Sequence, residues 1–384
     1  MPRLLHLFAL CNLLIGTGAF VLSGVLAPLA ASLQVSVAAA GQAMTAYALS
    51  TAVLAPLALI ATGSWPRRRV LCVSLAVFAL GNALCAVATG LPALLAGRVL
   101  MGVGAVFTAV AAGIAVALVE PARRGRALSL VFIGISLSYV IGLPLGAWLG
   151  FAHGWQLPIA LVAVLSGVAS VVLAFVLPRD IAAPGASFTG LGALLRRREI
   201  AWALALTLLY FTAIFCVFSY IGPVLQALVP MSTAAMSLTL MLFGLSGVAG
   251  TLIGGWANDR FGARRTLTVQ LAVLGLMMAL VPLTRGQHAL MVAVFVVWGI
   301  AGFGMMAPQQ SRLAAIAPAQ APILLSLNTS MLYLGTALGA AIGGPAALRI
   351  GFDHLAWVGM PFAVAGWLTL RAGAAAARPD APMA

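Results

Sequence analysis

Apolar runs of roughly 18 residues or more recur from one end of this chain to the other, and that recurrence decides what it can fold into. A run of that length covers the ~30 Å hydrocarbon core of a bilayer as a helix. In lipid every backbone amide must be paired within the protein, which leaves helices or closed barrels. The short alternating segments of barrel strands are missing, so helices remain. Only 7% of the residues are charged and 63% are hydrophobic, whereas soluble domains carry about a quarter charged residues. The runs predict twelve spanning helices over residues 4–27, 41–62, 69–90, 92–118, 126–150, 155–177, 201–226, 236–257, 266–283, 288–311, 324–347 and 353–372. The fold class is an all-α membrane protein, with lipid as its main surroundings and a monomer expected.

A net charge of +14, with all 20 basic residues arginine, would suit a nucleic-acid binder. Threading the arginines through the spans excludes that partner. One side collects Arg3, Arg67, Arg68, Arg69, Arg123, Arg124, Arg126, Arg179, Arg196, Arg197, Arg198, Arg260, Arg264, Arg265, Arg312, Arg371 and Arg378. The other side has Arg285 and Arg349, and Arg98 falls within a span. Such a bias places both termini in the cytoplasm. Cys11, Cys72, Cys85 and Cys216 all fall in spans without a CxxC pair and read as small apolar fillers. The first run is too long for a cleaved leader and is expected to be an uncleaved helix.

Sliding the chain along itself by about 195 residues brings landmarks into coincidence. Pro28 falls on Pro223, Arg69-Val70-Leu71 on Arg265-Thr266-Leu267, and the glycine-rich fifth span on the eleventh. The expected organisation is two six-helix bundles, residues 1–177 and 200–384, joined by a hydrophilic linker at 178–199 that holds Pro184, Gly185 and Arg196 to Arg198.

Four stretches carry the functional signal. The first is the charged hairpin Gly255-Trp256-Ala257-Asn258-Asp259-Arg260-Phe261-Gly262-Ala263-Arg264-Arg265 between spans 8 and 9. The second is Arg98-Val99-Leu100-Met101-Gly102-Val103-Gly104 in span 4, where an intramembrane charge costs at least ~2.5–3.5 kcal/mol and asks for a wet cavity or a partner; the bland alternative is an arginine that snorkels to the interface. The third is Gly134, Ser138, Gly142, Gly146 and Gly150 in span 5, with Pro144 beside them. Such a stripe permits close helix approach, and it recurs at Gly335, Gly339 and Gly343 and at Ser246, Gly250 and Gly254. The fourth is a scatter of polar and aromatic groups within spans: Tyr47, Tyr210, Phe215, Asn328 and Tyr333.

The hairpin, the R-x-x-x-G-x-G helix and Gly142-Leu143-Pro144-Leu145-Gly146 resemble signatures of the major facilitator superfamily, the last a motif associated with exporters. Gly16 to Val21, Gly41 to Pro56 and Ser219 to Pro223 resemble bacterial drug and sugar (arabinose-efflux-like) proton antiporters. The resemblance implies a multi-pass transporter of the bacterial inner membrane, without cofactor and driven by a proton gradient. It would export a drug-like compound or sugar by alternating access through a cavity lined by helices 1, 4, 7 and 10. It further implies that spans 5 and 8, and spans 2 and 11, slide on one another along the stripes. Arg98, Tyr47, Tyr210, Phe215, Asn328 and Tyr333 become candidates for coupling or the substrate cavity, with Gly102, Gly142, Pro144, Gly146, Gly335, Gly339 and Gly343 as packing residues. Gly255, Asp259, Arg260, Gly262, Arg264, Arg265 and Glu120 become a conformational latch, with Asp259 accepting from amides near Ala122 to Gly125 and Glu120 pairing with Arg67, Arg68 or Arg69.

Two departures weaken proton coupling. Related permeases commonly place Glu where this chain has Ala19, and all six acids, Glu120, Asp180, Glu199, Asp259, Asp353 and Asp380, lie in loops or at helix ends. Proton relays usually rest on an intramembrane carboxylate or histidine. A proton-independent facilitator of a small solute, anionic if Arg98 binds it, is therefore the alternative. A membrane enzyme or transport-dead sensor is a third class. The spans hold no H-E-x-x-H, no facing Asp pair and no Ser/His set, so no catalytic or metal residues are assigned. If Asp259 latches the protein, Asp259→Asn abolishes or greatly slows transport in vesicles while leaving insertion intact, and unchanged rates would remove the latch.

Overall fold

The computed structural model describes residues 2–120, 124–178 and 196–376. Among them are twelve helices long and apolar enough to cross a membrane: α1 Leu4–Gly24, α2 Val37–Ala61, α3 Arg67–Ala86, α4 Leu91–Ala117, α5 Arg126–His153, α6 Gln156–Val176, α7 Arg198–Phe218, α8 Thr233–Phe261, α9 Ala263–Thr284, α10 His288–Ile316, α11 Ile323–Ile350 and α12 Leu355–Gly373. No strand occurs among the described residues.

Each half repeats its local irregularities. After α1 comes the short helix Leu26–Ser32, and after α7 comes Ile221–Leu228. The expected single run over 201–226 is thus two helices, because Ser219 and Tyr220 form a turn and Pro223 offers no amide to continue the ladder. Gly154 after α5 and Gly351 after α11 both adopt positive φ, 95° and 83°, a backbone setting that glycine takes without steric cost. The hairpin between α8 and α9 also departs from expectation. It is hardly a turn: α8 continues to Phe261, α9 starts at Ala263, and Gly262 at φ 80° makes the reversal alone.

Packing divides the molecule into two compact units. One holds α1 to α6 together with Ser219–Gln226 and Pro230–Leu245; the other holds α7, Ala227–Val229 and the chain from Ser246 through α12. Most of the expected linker, 179–195, and the tail from 377 lie outside the described residues.

The glycine stripes run along seams within each unit, which corrects the expectation that they are sliding faces of α5 on α8 and α2 on α11. A Cβ at Gly134 would overlap the Ala9 carbonyl oxygen, at Gly142 the Thr17 hydroxyl, at Gly146 the Val21 side chain, and at Gly150 the Val25 Cγ1 at 2.6 Å. All four partners belong to α1 or the residue that follows it. Gly335 and Gly339 likewise meet Leu208, Phe211, Thr212 and Cys216 of α7, while Gly250 and Gly254 meet Ile300 and Gly304 of α10. Gly343 is buried further along α11. The reason is geometric: a helix without Cβ atoms on one face lets a neighbour's carbonyls approach to contact, and lipid supplies no hydrophobic drive to hold bulkier faces together.

Helix α5 reaches the start of α8 with a different face. Ser237 Oγ donates to Pro144 O at 3.0 Å, and Gly244 lies against Tyr139. Between Ser138 and Gly142 the helix widens into a π-turn just before Pro144, where the missing amide and the ring's need for room would otherwise strain the ladder.

Thermal unfolding in detergent separates these roles. Gly134→Ala is expected to lower the midpoint, overpacking costing about 1–3 kcal/mol. Gly113→Ala, whose Cβ would meet nothing within 4 Å, is expected to be neutral or to gain up to about 1 kcal/mol.

Candidate functional site

In the first unit the intramembrane cation is bolted to backbone. Arg98 is 1% exposed. Its Nε donates to Ala43 O at 3.1 Å, Nη1 to Gly18 O at 2.7 Å and Nη2 to Ala19 O at 2.6 Å. The Tyr47 ring lies beneath the guanidinium, with Cζ 4.9 Å from its centroid, and the sulfurs of Met44 and Met101 stand at 3.3 and 3.7 Å. These contacts fit the chemistry of the group. A helix carbonyl that already accepts its own i+4 amide keeps a second lone pair, and a guanidinium fork can reach several at once.

Small residues clear the approach. Gly18 and Ala19 expose the α1 backbone, and Gly102 lets α4 close on Ser50 and the Tyr47 carbonyl of α2, where Ser50 Oγ donates to Val99 O at 2.6 Å. The arginine does not snorkel: it ties α4 to α1 and α2. At Ala19, where the resemblance implied a carboxylate, this chain offers its backbone carbonyl.

One further polar clasp ties three helices of this unit. Asn12 Nδ2 donates to Val131 O at 2.9 Å, and Thr108 Oγ1 donates to Asn12 Oδ1 at 2.7 Å, joining α1, α4 and α5.

In the second unit Thr207 of α7 and Asn328 of α11 are hydrogen-bonded at 2.5 Å, and Gln309 of α10 donates to Thr207 Oγ1 at 3.0 Å and to Ala203 O at 2.6 Å. Higher along α7, Tyr210 donates its phenolic proton to Gly302 O at 2.7 Å, and its ring leads into the row Phe211, Phe215, Phe218. Tyr333 is half-buried on α11. Of the sequence candidates, Arg98 and Tyr47 meet directly, whereas Tyr210 and Asn328 have separate partners.

The charged groups of the α8–α9 hairpin are open to solvent. Asp259 and Arg260 are exposed, as are Gly262, Arg264 and Arg265; Gly255 is half-buried. Asp259 Oδ1 accepts from Asn258 Nδ2 at 3.3 Å. Arg68 donates to Ala174 O, tying α3 to α6, and Arg69 lies over the Trp65 ring at 4.4 Å. Glu120 is exposed at the end of α4. Of the amides expected to meet Asp259, those of Ala122 and Arg123 lie outside the described residues, and Arg124 begins the helix that continues as α5. At the opposite end Arg285 pairs with Asp353 at 3.1 Å, and His354 lies 3.0 Å from the same carboxylate.

Sequence reasoning passed over Asn12, Thr108 and Thr207. A signal existed: Asn12 and Thr207 are polar residues at matching places in the two repeats.

Comparison with known proteins follows the same lines. A family model described as Major Facilitator Superfamily matches residues 8–340 and 231–382. The chain is 29% identical over 356 residues to the uncharacterized MFS-type transporter YbcL of Bacillus subtilis, covering 92% of this chain and 91% of that protein. It is 32% identical over 332 residues to the inner membrane transport protein YdhP of Escherichia coli, covering 86% and 85%. Among solved structures it resembles an inward-facing, occupied bacterial homolog of the human lysosomal transporter Spinster, with a TM-score of 0.81 at 17% identity over 97% of each chain. A D-xylose-proton symporter gives 0.79 at 15% identity over 95% of each.

The bolt predicts a specific failure. Lysine has one ammonium and no planar fork, so Arg98→Lys loses part of the three-carbonyl grip, each bond to a charged donor being worth about 1.5–3 kcal/mol. The purified variant should unfold at least several degrees lower than wild type in a detergent melt. An unchanged melting temperature would show that the grip contributes little.

Proposed function

The chain belongs to the major facilitator superfamily, a secondary transporter that crosses the membrane in many passes and not an enzyme; from that premise we propose that it exports a small organic solute, a drug-like compound or sugar, from the bacterial cytoplasm by alternating access and proton antiport. The observation that carries export is the Gly142 to Gly146 motif of α5, seated on α1 with a π-turn and Pro144, since this is the exporter-like feature of the chain. The inner membrane as location draws support from the description of the E. coli relative, and cytoplasmic termini from the arginine bias.

The hairpin after α8 serves as a latch in this reading. Its carboxylate sits in the last turn of a helix and its arginines are exposed, so Asp259, Arg260, Arg264 and Arg265 can exchange partners at low cost during a cycle. Glu120 would act on the same face. Tyr47, Tyr210, Phe215, Asn328 and Tyr333 supply the aromatic and amide character that a neutral organic solute requires.

A second reading is favoured by one observation: among the described residues no aspartate or glutamate lies in the interior of a span, and the interior cation Arg98 already spends its donors on carbonyls. A proton-independent facilitator fits that arrangement. The same bonding removes the motive for an anionic substrate, because a guanidinium committed to three carbonyls has less left to offer.

Proteoliposomes decide between the two. With an acidic lumen, an antiporter should accumulate a transported dye or sugar several-fold faster than without the gradient, and an uncoupler should abolish the difference. Rates that ignore the gradient would establish the facilitator instead.

A further inference from the structure

Deep in the second unit, Thr207, Gln309 and Asn328 form a polar knot in which each residue is at most 1% exposed. Its hydrogen bonds do not close. Thr207 Oγ1 donates to Asn328 Oδ1 and accepts from Gln309 Nε2, which also donates to Ala203 O. Gln309 Oε1 and Asn328 Nδ2 are left buried without a hydrogen-bond partner among the described residues.

The orientation of the amides follows from their neighbours. Ala203 O can only accept, so the atom of Gln309 facing it is the nitrogen and the atom left over is the oxygen. The 2.5 Å separation between Thr207 Oγ1 and Asn328 suits a hydroxyl donating to oxygen, which leaves the Asn328 nitrogen unused.

The first unit provides the contrast. Its clasp of Asn12, Thr108 and Val131 shares one position of the repeat with the knot, Asn12 falling on Thr207, and both polar atoms of Asn12 are bonded. Nothing in the geometry of the repeat therefore forces orphaned atoms on a three-helix clasp. An unmatched buried donor or acceptor costs about 1–3 kcal/mol, and the second knot carries one of each.

Each orphan is one carbon removed from an atom bonded to Thr207, so both lie within about 6 Å of Thr207 Oγ1. They ask for a ligand that accepts from an amide N–H and donates to an amide oxygen, which is what a hydroxyl group does. An ion would meet no opposite charge among the three residues, and a buried unpaired charge is far costlier than a neutral group. Arg312, one turn along α10, lies beside Gly373 of α12. The segment carrying Gln309 is also separable, since α10 breaks after Phe303 and resumes as Met306–Ile316.

We infer that the Thr207, Gln309 and Asn328 knot is a recognition point for a neutral hydroxylated solute, of the sugar or polyol class. The inference rests on the transport reading above and selects the sugar over the drug-like compound.

The test is equilibrium binding of tritiated D-xylose, D-glucose, glycerol and myo-inositol to the full chain in nanodiscs, with ethidium efflux measured on the same preparation in proteoliposomes. Saturable binding of at least one polyol is expected. Gln309→Met and Asn328→Leu should each weaken it tenfold or more, while Gln310→Leu, at the exposed neighbouring position, leaves it unchanged. Asn328→Asp, nearly isosteric but without the amide donor, covers the case in which the leucine variant fails to fold; it too should lose binding. If wild type binds none of the four, or the folded knot variants bind as wild type does, the knot is packing or holds water only and the inference falls. Persistent ethidium flux in that case leaves the transport reading standing, whereas absence of any flux, with no polyol bound, sinks both.

Discussion

Two helices that meet inside a bilayer gain almost nothing from hydrophobicity, because the lipid they displace is as apolar as they are. What holds this protein together must therefore come from close backbone approach and from polar bonds made where water is absent. Both appear along the same seams. The α5 stripe brings α1 near enough for Gly134 to rest on the Ala9 carbonyl, and on that shared line Asn12 reaches Val131 O. In the other unit, Gly335 and Gly339 bring α11 against α7, where Thr207 meets Asn328. Removing Cβ atoms and placing one polar side chain per seam work together: the first sets the distance that the second requires.

Arg98 extends this logic to a charge. A guanidinium buried within a span would be costly alone, yet three carbonyls of α1 and α2 point their spare lone pairs at it and Tyr47 offers its ring face. None of these partners is ionised. The charge is therefore solvated by dipoles in place of a counterion, which ties α1, α2 and α4 together without a carboxylate. A carbonyl cage of this kind is lost if any of the three helices shifts.

The fold was legible in the sequence because lipid makes the rules strict. Span length, the arginine bias and the self-similarity of the two halves needed no tertiary information, whereas the short helix Ile221–Leu228 was hidden inside the run 201–226, where Pro223 read only as a landmark of the repeat. The site was less legible. Arg98 could be picked out as an intramembrane charge, but its partners are backbone atoms, and no residue type announces that a carbonyl is within reach. The glycine stripes were visible as stripes; their direction was not, because periodicity identifies a face and says nothing of which neighbour it meets. Gln309 lies near the end of the tenth span in the sequence, yet it is 1% exposed and bonded to α7.

With Arg98 so engaged, the ionisable groups that remain in contact with water are at the helix ends. Asp259, Arg260, Arg264 and Arg265 stand exposed at one end, and Arg285, Asp353 and His354 form a cluster at the other. Charges at helix ends change partners cheaply, since water compensates each broken pair, whereas a mid-span carboxylate would bind its proton in a medium that resists charge. A transporter arranged in this way keeps its interior for neutral hydrogen bonding and leaves charge exchange to its margins. In the proposed cycle, rearrangement at the Gly262 reversal and at the carboxylate just before it would leave the packed seams closed.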